Sequence, residues 1–192
     1  LFVDQIERIT WAYKIAPETS NLDATETVKE IQVFRLALRA ETLADEVLRT
    51  IDKAIDFPII FVLSYNKKRK AVAAYKRPSE SDPGKWVVSE YFGTDWESEE
   101  SSRVPLPSAL DLESLYTRIL EELLPGTAPS AEPIGVKANR IETIRAKERE
   151  LARVRARLAR EKQFNKRVDI NAELRDVTNQ LKQLGVMPGA KD

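Results

Sequence analysis

Between residues 125 and 135 the chain changes character. The segment PGTAPSAEPIG separates a mixed, strand-bearing, slightly acidic sequence from a Lys/Arg-rich run with heptad spacing. That break constrains the fold to a compact domain carrying a projecting helical arm. The charge follows the same division. From Ile134 onward fifteen Lys/Arg face eight Asp/Glu, a net +7, and the first 133 residues hold the other 16 and 23, a net −7. The zero formal charge of the 192-residue chain therefore hides an acidic body and a basic arm.

Composition excludes several chemistries. With no histidine and no cysteine, the sequence has neither a Ser-His-Asp nor a Cys-His nucleophile system, and no imidazole or thiolate ligand for zinc. A protein-bound metal would have to be a hard cation held by carboxylates. Six scattered glycines form neither a G-x-G-x-x-G turn nor a P-loop, so nucleotide hydrolysis is not expected. Apolar residues at 42% and charged residues at 32% suit a soluble protein, and runs such as Phe57 to Leu63 are too short to span a bilayer. No signal-peptide pattern opens the chain, and the missing cysteines fit a reducing compartment, so the expected location is cytoplasmic. The chain begins at Leu1 and its one methionine is Met187, so further residues are expected upstream.

Periodicity outlines the elements. Val3, Ile6, Ile9 and Tyr13 stand at helical spacing and predict a short amphipathic helix over 3–13, with Pro17 ending it or following a short strand. Residues 18–29 read as a polar loop. Glu30 to Arg39 reads as a strand, with Phe34, Leu36 and Leu38 on one face. Leu43, Val47, Leu48, Ile51 and Ile55 predict a helix behind an acidic turn at Glu41 and Asp45. Phe57 to Tyr65 predicts a strand buried on both faces, a turn follows at Asn66 to Arg69, and Lys70 to Lys76 and Trp86 to Phe92 predict two more strands. All three are close enough to be consecutive antiparallel neighbours. Residues 93–107 read as an acidic loop. Leu110, Leu112, Leu115, Ile119, Leu120 and Leu123 predict a helix stopping at Pro125-Gly126.

In the arm, Ile144, Leu151 and Leu158 recur every seven residues with Ile141 and Val154 between them, and Ile170, Leu174, Val177, Leu181 and Leu184 alternate steps of four and three. This is the a/d spacing of a helix–helix seam. Its phase breaks near 163–169, where Asn165 and Asp169 offer caps, so two antiparallel helices are expected at roughly 137–163 and 169–185, the bend lying at Phe164 to Asp169. Gly185 and Pro188 stop the second. The expected fold class is α+β: a mainly antiparallel sheet packed with helices, then a coiled-coil-like antiparallel hairpin. The domain plan is a globular domain over 1–124, a Pro/Gly/Ala linker over 125–136, the basic hairpin over 137–185 and a tail over 186–192.

Several strings carry a resemblance: WAYKIAPET at 11–19, EIQVF at 30–34, IDKAI at 51–55, PIIF at 58–61, KWVVS at 85–89, LDLESLY at 110–116 and KQFNKRV at 162–168. In these the chain resembles the uncharacterised prokaryotic family catalogued as domain of unknown function 4391, over nearly its whole length. The resemblance implies a setting beside DNA methyltransferases and helicases in restriction or phage-defence loci, and it offers no catalytic residue to carry over.

Four sets of residues are candidate sites. Arg145, Arg149, Arg153 and Arg157 step by four along one helix face, with Arg160, Lys162, Lys166 and Arg167 towards its tip. Such a stripe can follow a phosphate backbone, meet a protein partner, or be a solvated face paired with Glu142, Glu148, Glu150 and Glu161. Asp23, Glu30 and Gln32 faintly resemble the carboxylates and assisting residue of a Mg²⁺-dependent nuclease, where a strand's acids hold the metal; the plain alternative is an edge-strand start with exposed polar side chains. The apolar seam of the arm is structural if the two helices cover it and a docking strip where they do not. Trp86, Tyr91, Phe92 and Trp96 suit a core, an exposed Trp96 being the one that could anchor an interface.

The expectation is a non-enzymatic accessory subunit of a prokaryotic DNA restriction or phage-defence assembly. It would need no cofactor and no membrane, and would bind protein subunits, with DNA as a second contact, through the basic arm. A divergent Mg²⁺-dependent nuclease and a homo-oligomeric structural protein joined through the arm are the alternatives.

Overall fold

A computed structural model describes residues 2–79, 81–82, 84–125 and 132–185. The chain divides into two compact units, Leu1–Gly135 and Val136–Asp192. The first opens with a single helical turn, α1 (Phe2–Gln5), followed by β1 (Ile6–Ile15), a second short turn α2 (Pro17–Ser20), β2 (Ile31–Leu38), α3 (Asp45–Ala54), β3 (Ile59–Tyr65), β4 (Lys68–Pro78), β5 (Trp86–Gly93), the two-residue β6 (Glu97–Ser98) and α4 (Leu112–Leu123). The second unit is built from α5 (Ile134–Arg160), which begins two residues before the boundary, and α6 (Phe164–Gln183).

One mixed sheet forms the first unit, in the order β1-β2-β3-β4-β5 with β6 beside β4. All neighbours are antiparallel except β2 and β3, which run parallel and are joined through α3. A parallel pair cannot be joined by a tight turn, so the crossover helix is a consequence of the pairing. The β3–β4 connection is the opposite case. Tyr65 pairs with Lys68, leaving Asn66 and Lys67 as a two-residue turn with φ of 46° and 58°. Two successive left-handed residues match the twist of the flanking strands.

Alternation sorts the strands' side chains onto two faces. Leu36, Leu38, Ile59, Phe61, Leu63, Val72, Ala74 and Tyr91 share one face with Val47 and Leu48 of α3. Ile60, Ala73 and Phe92 stand in mutual register on the other, all buried, where α4 packs over β4 and β5. α4 is capped by Asp111, whose Oδ1 accepts the Ser114 amide at 2.7 Å while the Ser114 hydroxyl takes the Asp111 amide at 3.1 Å.

The core also contains charge. The register shifts between Ala74 and Lys76, and the backbone groups released there find side chains. The Tyr75 amide donates to Ser89 Oγ at 2.8 Å, the Lys76 amide donates to the Tyr116 hydroxyl at 3.0 Å, and that hydroxyl donates to the Ala74 carbonyl. Lys76 is buried and reaches the end of α3, where its Nζ donates to the carbonyls of Asp52 and Ile55 and stands 3.5 Å from Asp52 Oδ1. The Tyr91 hydroxyl donates to Asp52 Oδ2. Arg49, one turn earlier, lies 5.7 Å over the Tyr91 ring and donates to the carbonyls of Val88 and Ser89 at 3.2 and 3.3 Å. A cation at a helix C-terminus opposes the negative end of its dipole. Burial raises the Asp52 carboxyl and lowers the Lys76 ammonium from their ordinary pKa values, the attraction between them opposing both shifts.

Several sequence expectations need correction. Residues 3–13 are not a helix: beyond α1 they form β1, and Pro17 follows a strand. The polar stretch 18–29 begins inside α2, and the 93–107 loop contains β6, which pairs with Lys68 and Arg69. Leu110 stands exposed outside α4, because the Asp111 cap starts the helix after it. α5 starts at Ile134, inside the segment taken as linker. Gly126 to Ala131 and the 186–192 tail, with Pro188, lie outside the described residues.

Replacing Lys76 by Met is expected to cost about 3–5 kcal/mol, because it strands a buried carboxylate. Adding Asp52→Asn should recover part of that loss in denaturant unfolding. In K76M the folded state still binds the Asp52 proton more tightly than the unfolded chain does. Its stability is therefore greatest below the ordinary aspartate value of 3.8 and falls as pH rises towards the raised folded value.

Candidate functional site

The second unit is a helical hairpin. α5 carries 27 residues and α6 carries 20, so α5 is about 40 Å long at 1.5 Å per residue. Leu151, Val177 and Leu181 form the buried centre of the seam, with Ile144 and Leu174 packed against it. Val154 and Ile170 are buried as well. The contacts run in opposite directions along the two helices, since Arg157 meets Glu173 while Leu151 meets Val177 and Leu181. That is the antiparallel seam the heptads predict. The bend lies elsewhere than expected. It occupies Glu161, Lys162 and Gln163, while Phe164 to Asp169 form the first turns of α6. Glu161 makes the bend: its Oε1 accepts the amides of Lys162 and Gln163, both at 2.8 Å. Those bonds, the Gln163 amide first, hold its carboxyl below the ordinary range. At the far end Gly185, at φ +80°, turns the chain out of α6.

Along this hairpin the cations of the stripe have different fates. Arg145 is half-buried, whereas Arg149, Arg153, Arg157, Arg160, Lys162, Lys166 and Arg167 are exposed. Arg157 places one nitrogen 3.0 and 3.1 Å from the two carboxylate oxygens of Glu173. Arg153 donates back to the Arg149 carbonyl at 3.4 Å, and Arg167 to the Glu161 carbonyl at 3.4 Å. Arg160, Lys162 and Lys166 have no salt-bridge partner among the described residues. These three put positive charge available to a ligand at and beside the bend. A cleft of about 390 Å³ opens there, lined by Arg157, Arg160, Glu161, Lys166, Asp169 and Ile170. On the first turn of α6 Phe164 is 78% exposed, with Val168 exposed one turn further on. In the sequence Phe164 is the one aromatic accompanying the basic stripe; expected at the bend, it stands in solvent on the first turn of α6.

At the first unit, the structure brings Glu30 and Gln32 together but does not bring Asp23 to them. Gln32 Nε2 donates to one oxygen of Glu30, and Lys14 Nζ lies 3.0 Å from the other and 2.8 Å from Glu18. The bonds to Glu18 and then Glu30 raise the Lys14 pKa. Asp23 is exposed, and its backbone carbonyl accepts the Leu112 amide at 3.0 Å beside an isolated bridge to Asp111. Among the described residues no group of three or more acidic side chains could hold a metal ion, so the Mg²⁺ reading gains no support from the geometry. Of the aromatic set, Tyr91 and Phe92 are core and Trp86 is half-buried. Trp96 packs partly buried on the core, with Lys70 Nζ 5.4 Å from its ring. No helix among the described residues is long and apolar enough to cross a membrane.

A family model described as Domain of unknown function (DUF4391) matches residues 1–181. No curated protein and no solved structure matches the chain.

The hairpin separates residues that hold it together from residues that face outward. Leu181→Ala is expected to cost about 2–5 kcal/mol, and Phe164→Ala to change unfolding by no more than about 0.5 kcal/mol. Thermal unfolding followed by circular dichroism checks both.

Proposed function

We propose that this chain, which belongs to the DUF4391 family, is a non-enzymatic accessory subunit that binds an acidic protein surface through the tip of its hairpin. The larger assembly would be a prokaryotic DNA restriction or phage-defence complex, a setting that rests on the family resemblance alone. The observation that carries the binding role is the coincidence, at one bend, of three cations without salt-bridge partners and an exposed aromatic ring. Neither has an evident use in holding the hairpin together. Arginine and aromatic side chains are the groups that most often dominate binding energy at protein interfaces, and the open cleft that Arg160 and Lys166 line offers a place for a partner's side chain. Glu161 and Asp169 leave the cleft mixed in charge, which suits the separate carboxylates of a protein surface better than the continuous charge of a phosphate backbone.

DNA is the second reading, favoured by the net +7 of the chain from Ile134 onward. Reversing Arg160, Lys162 and Lys166 to Glu separates the two. Co-purification of the native chain with the products of its genomic neighbours should be lost, with far-ultraviolet circular dichroism unchanged. An anisotropy titration with duplex DNA should show no change. If the tip follows phosphates instead, affinity falls for all sequences alike and the salt slope becomes shallower by roughly 3. Retention of every partner would overturn the binding role of the tip.

A further inference from the structure

β1 is the terminal strand of the sheet and among the described residues pairs with no strand but β2, the Thr19 hydroxyl donating to its Lys14 carbonyl at 2.8 Å. In an antiparallel pair the amides and carbonyls of alternate residues point away from the partner strand, so roughly half of its ten residues offer backbone groups to the open edge. The strand is also uncovered on its faces. Only Ile6 is buried, while Trp11 is 61% exposed, Tyr13 55% and Ile9 44%. Register places Ile9 beside Leu36 and Trp11 beside Phe34, all on the α3 face, and places Arg8 and Tyr13 beside Ala37 and Val33 on the other. A long edge strand with exposed apolar side chains is what folded proteins ordinarily cover or charge.

We propose that β1 is a self-pairing edge, through which two copies of this chain join antiparallel about a two-fold axis at Thr10, making one continuous sheet across the dimer. The order of residues on the strand is the argument. Around Thr10 an antiparallel register sets Ile9 of each copy opposite Trp11 of the other, both on the α3 face, so two exposed apolar pairs close across the axis. The ladder skips a residue between Ile6 and Arg8 and again between Trp11 and Tyr13. With the second skip taken up, Arg8 of each copy approaches Tyr13 of the other on the shared opposite face, where Arg35 already stands 6.0 Å from that ring, so this contact adds little beyond register. One step further, Glu7 approaches Lys14, opposite charges in both directions. Lys14 already holds Glu18 and Glu30, so this last contact selects register more than it adds affinity.

Other registers do worse. Shifting by two residues sets Trp11 of the two copies opposite each other but moves Ile9 to Tyr13, which lies on the other face, so one apolar pair replaces two. The bulges limit regular pairing to Arg8–Trp11, which suits a closed two-fold contact and discourages open-ended stacking of strands. This interface is independent of the hairpin tip, and the failure of either proposal leaves the other standing.

The chain has no cysteine, which makes the test clean. Residues facing each other across an antiparallel pair have Cα atoms about 4.5–5.5 Å apart, inside the range a disulfide spans. Under mild oxidation at micromolar concentration, Thr10→Cys should convert to a covalent dimer at least tenfold faster than Ser102→Cys, an exposed loop control. Sedimentation velocity of the unmodified full chain should show twice the monomer mass, and Ile9→Lys with Trp11→Glu should return it to the monomer with no change in circular dichroism and a melting temperature that no longer depends on protein concentration. A chain that stays monomeric, with both cysteine variants cross-linking at the same rate, would overturn the proposal and leave the edge to a different protein's strand. A dimer that survives the Ile9/Trp11 changes would overturn it too, placing the contact elsewhere.

Discussion

An ammonium group sealed inside a protein must find acceptors for its three N–H bonds and a counter-charge for itself, and Lys76 finds all of them at the end of one helix. The carbonyls of Asp52 in α3 and of Ile55 just beyond it, the Asp52 carboxylate and, through that carboxylate, the Tyr91 hydroxyl converge on it. Lys76 belongs to β4, Asp52 to α3 and Tyr91 to β5, so three elements are fixed together at one point. The apolar contacts of that face are non-directional and would tolerate sliding; these bonds do not. Buried ion pairs contribute little net stability but penalise misplacement heavily. That penalty holds α3 in one position over the sheet.

None of this was legible in the sequence, for a physical reason. Asp52 and Lys76 read as solvated charges because nearly all such residues are, and burial of a paired charge leaves no trace in periodicity. Where apolar residues repeat without interruption, reading succeeded. Phe57 to Tyr65, Trp86 to Phe92 and the leucines of α4 announce their faces directly. β1 misled because its ladder skips a residue twice. Those skips spread Ile6, Ile9 and Tyr13 to intervals of three and four, and a bulged strand then imitates a helix. Its aromatic residues, which favour strands, were the better signal.

The hairpin was legible in its seam and misplaced at its bend. Core heptads are fixed by packing, whereas a bend can fall wherever a short run of backbone finds local acceptors. Glu161 supplies them with its own carboxylate, four residues before Asn165, the nearer of the polar caps that the sequence favours. The candidate site depends on that shift. It moves Phe164 from a turn, where it could have folded back, onto the first turn of α6. Which cations are occupied was not readable at all, because pairing of Arg157 with Glu173 depends on how two helices face each other.

The Asn66-Lys67 turn has a kinetic meaning as well as a geometric one. It joins strands adjacent in sequence, so the β3–β4 ladder closes a loop of two residues at small entropic cost. The β2–β3 pair must wait for some twenty residues of intervening chain, including α3, to be folded over the sheet, a rough reckoning in which longer closure means slower formation. Such an imbalance makes the order of events uneven within one sheet: an early local ladder on one side, and on the other a parallel seam completed late. Until that seam is complete, Ile31 and Leu36, both buried in the finished fold, remain open to solvent. The burden of avoiding misassociation during folding therefore falls on the amino-terminal half of the sheet.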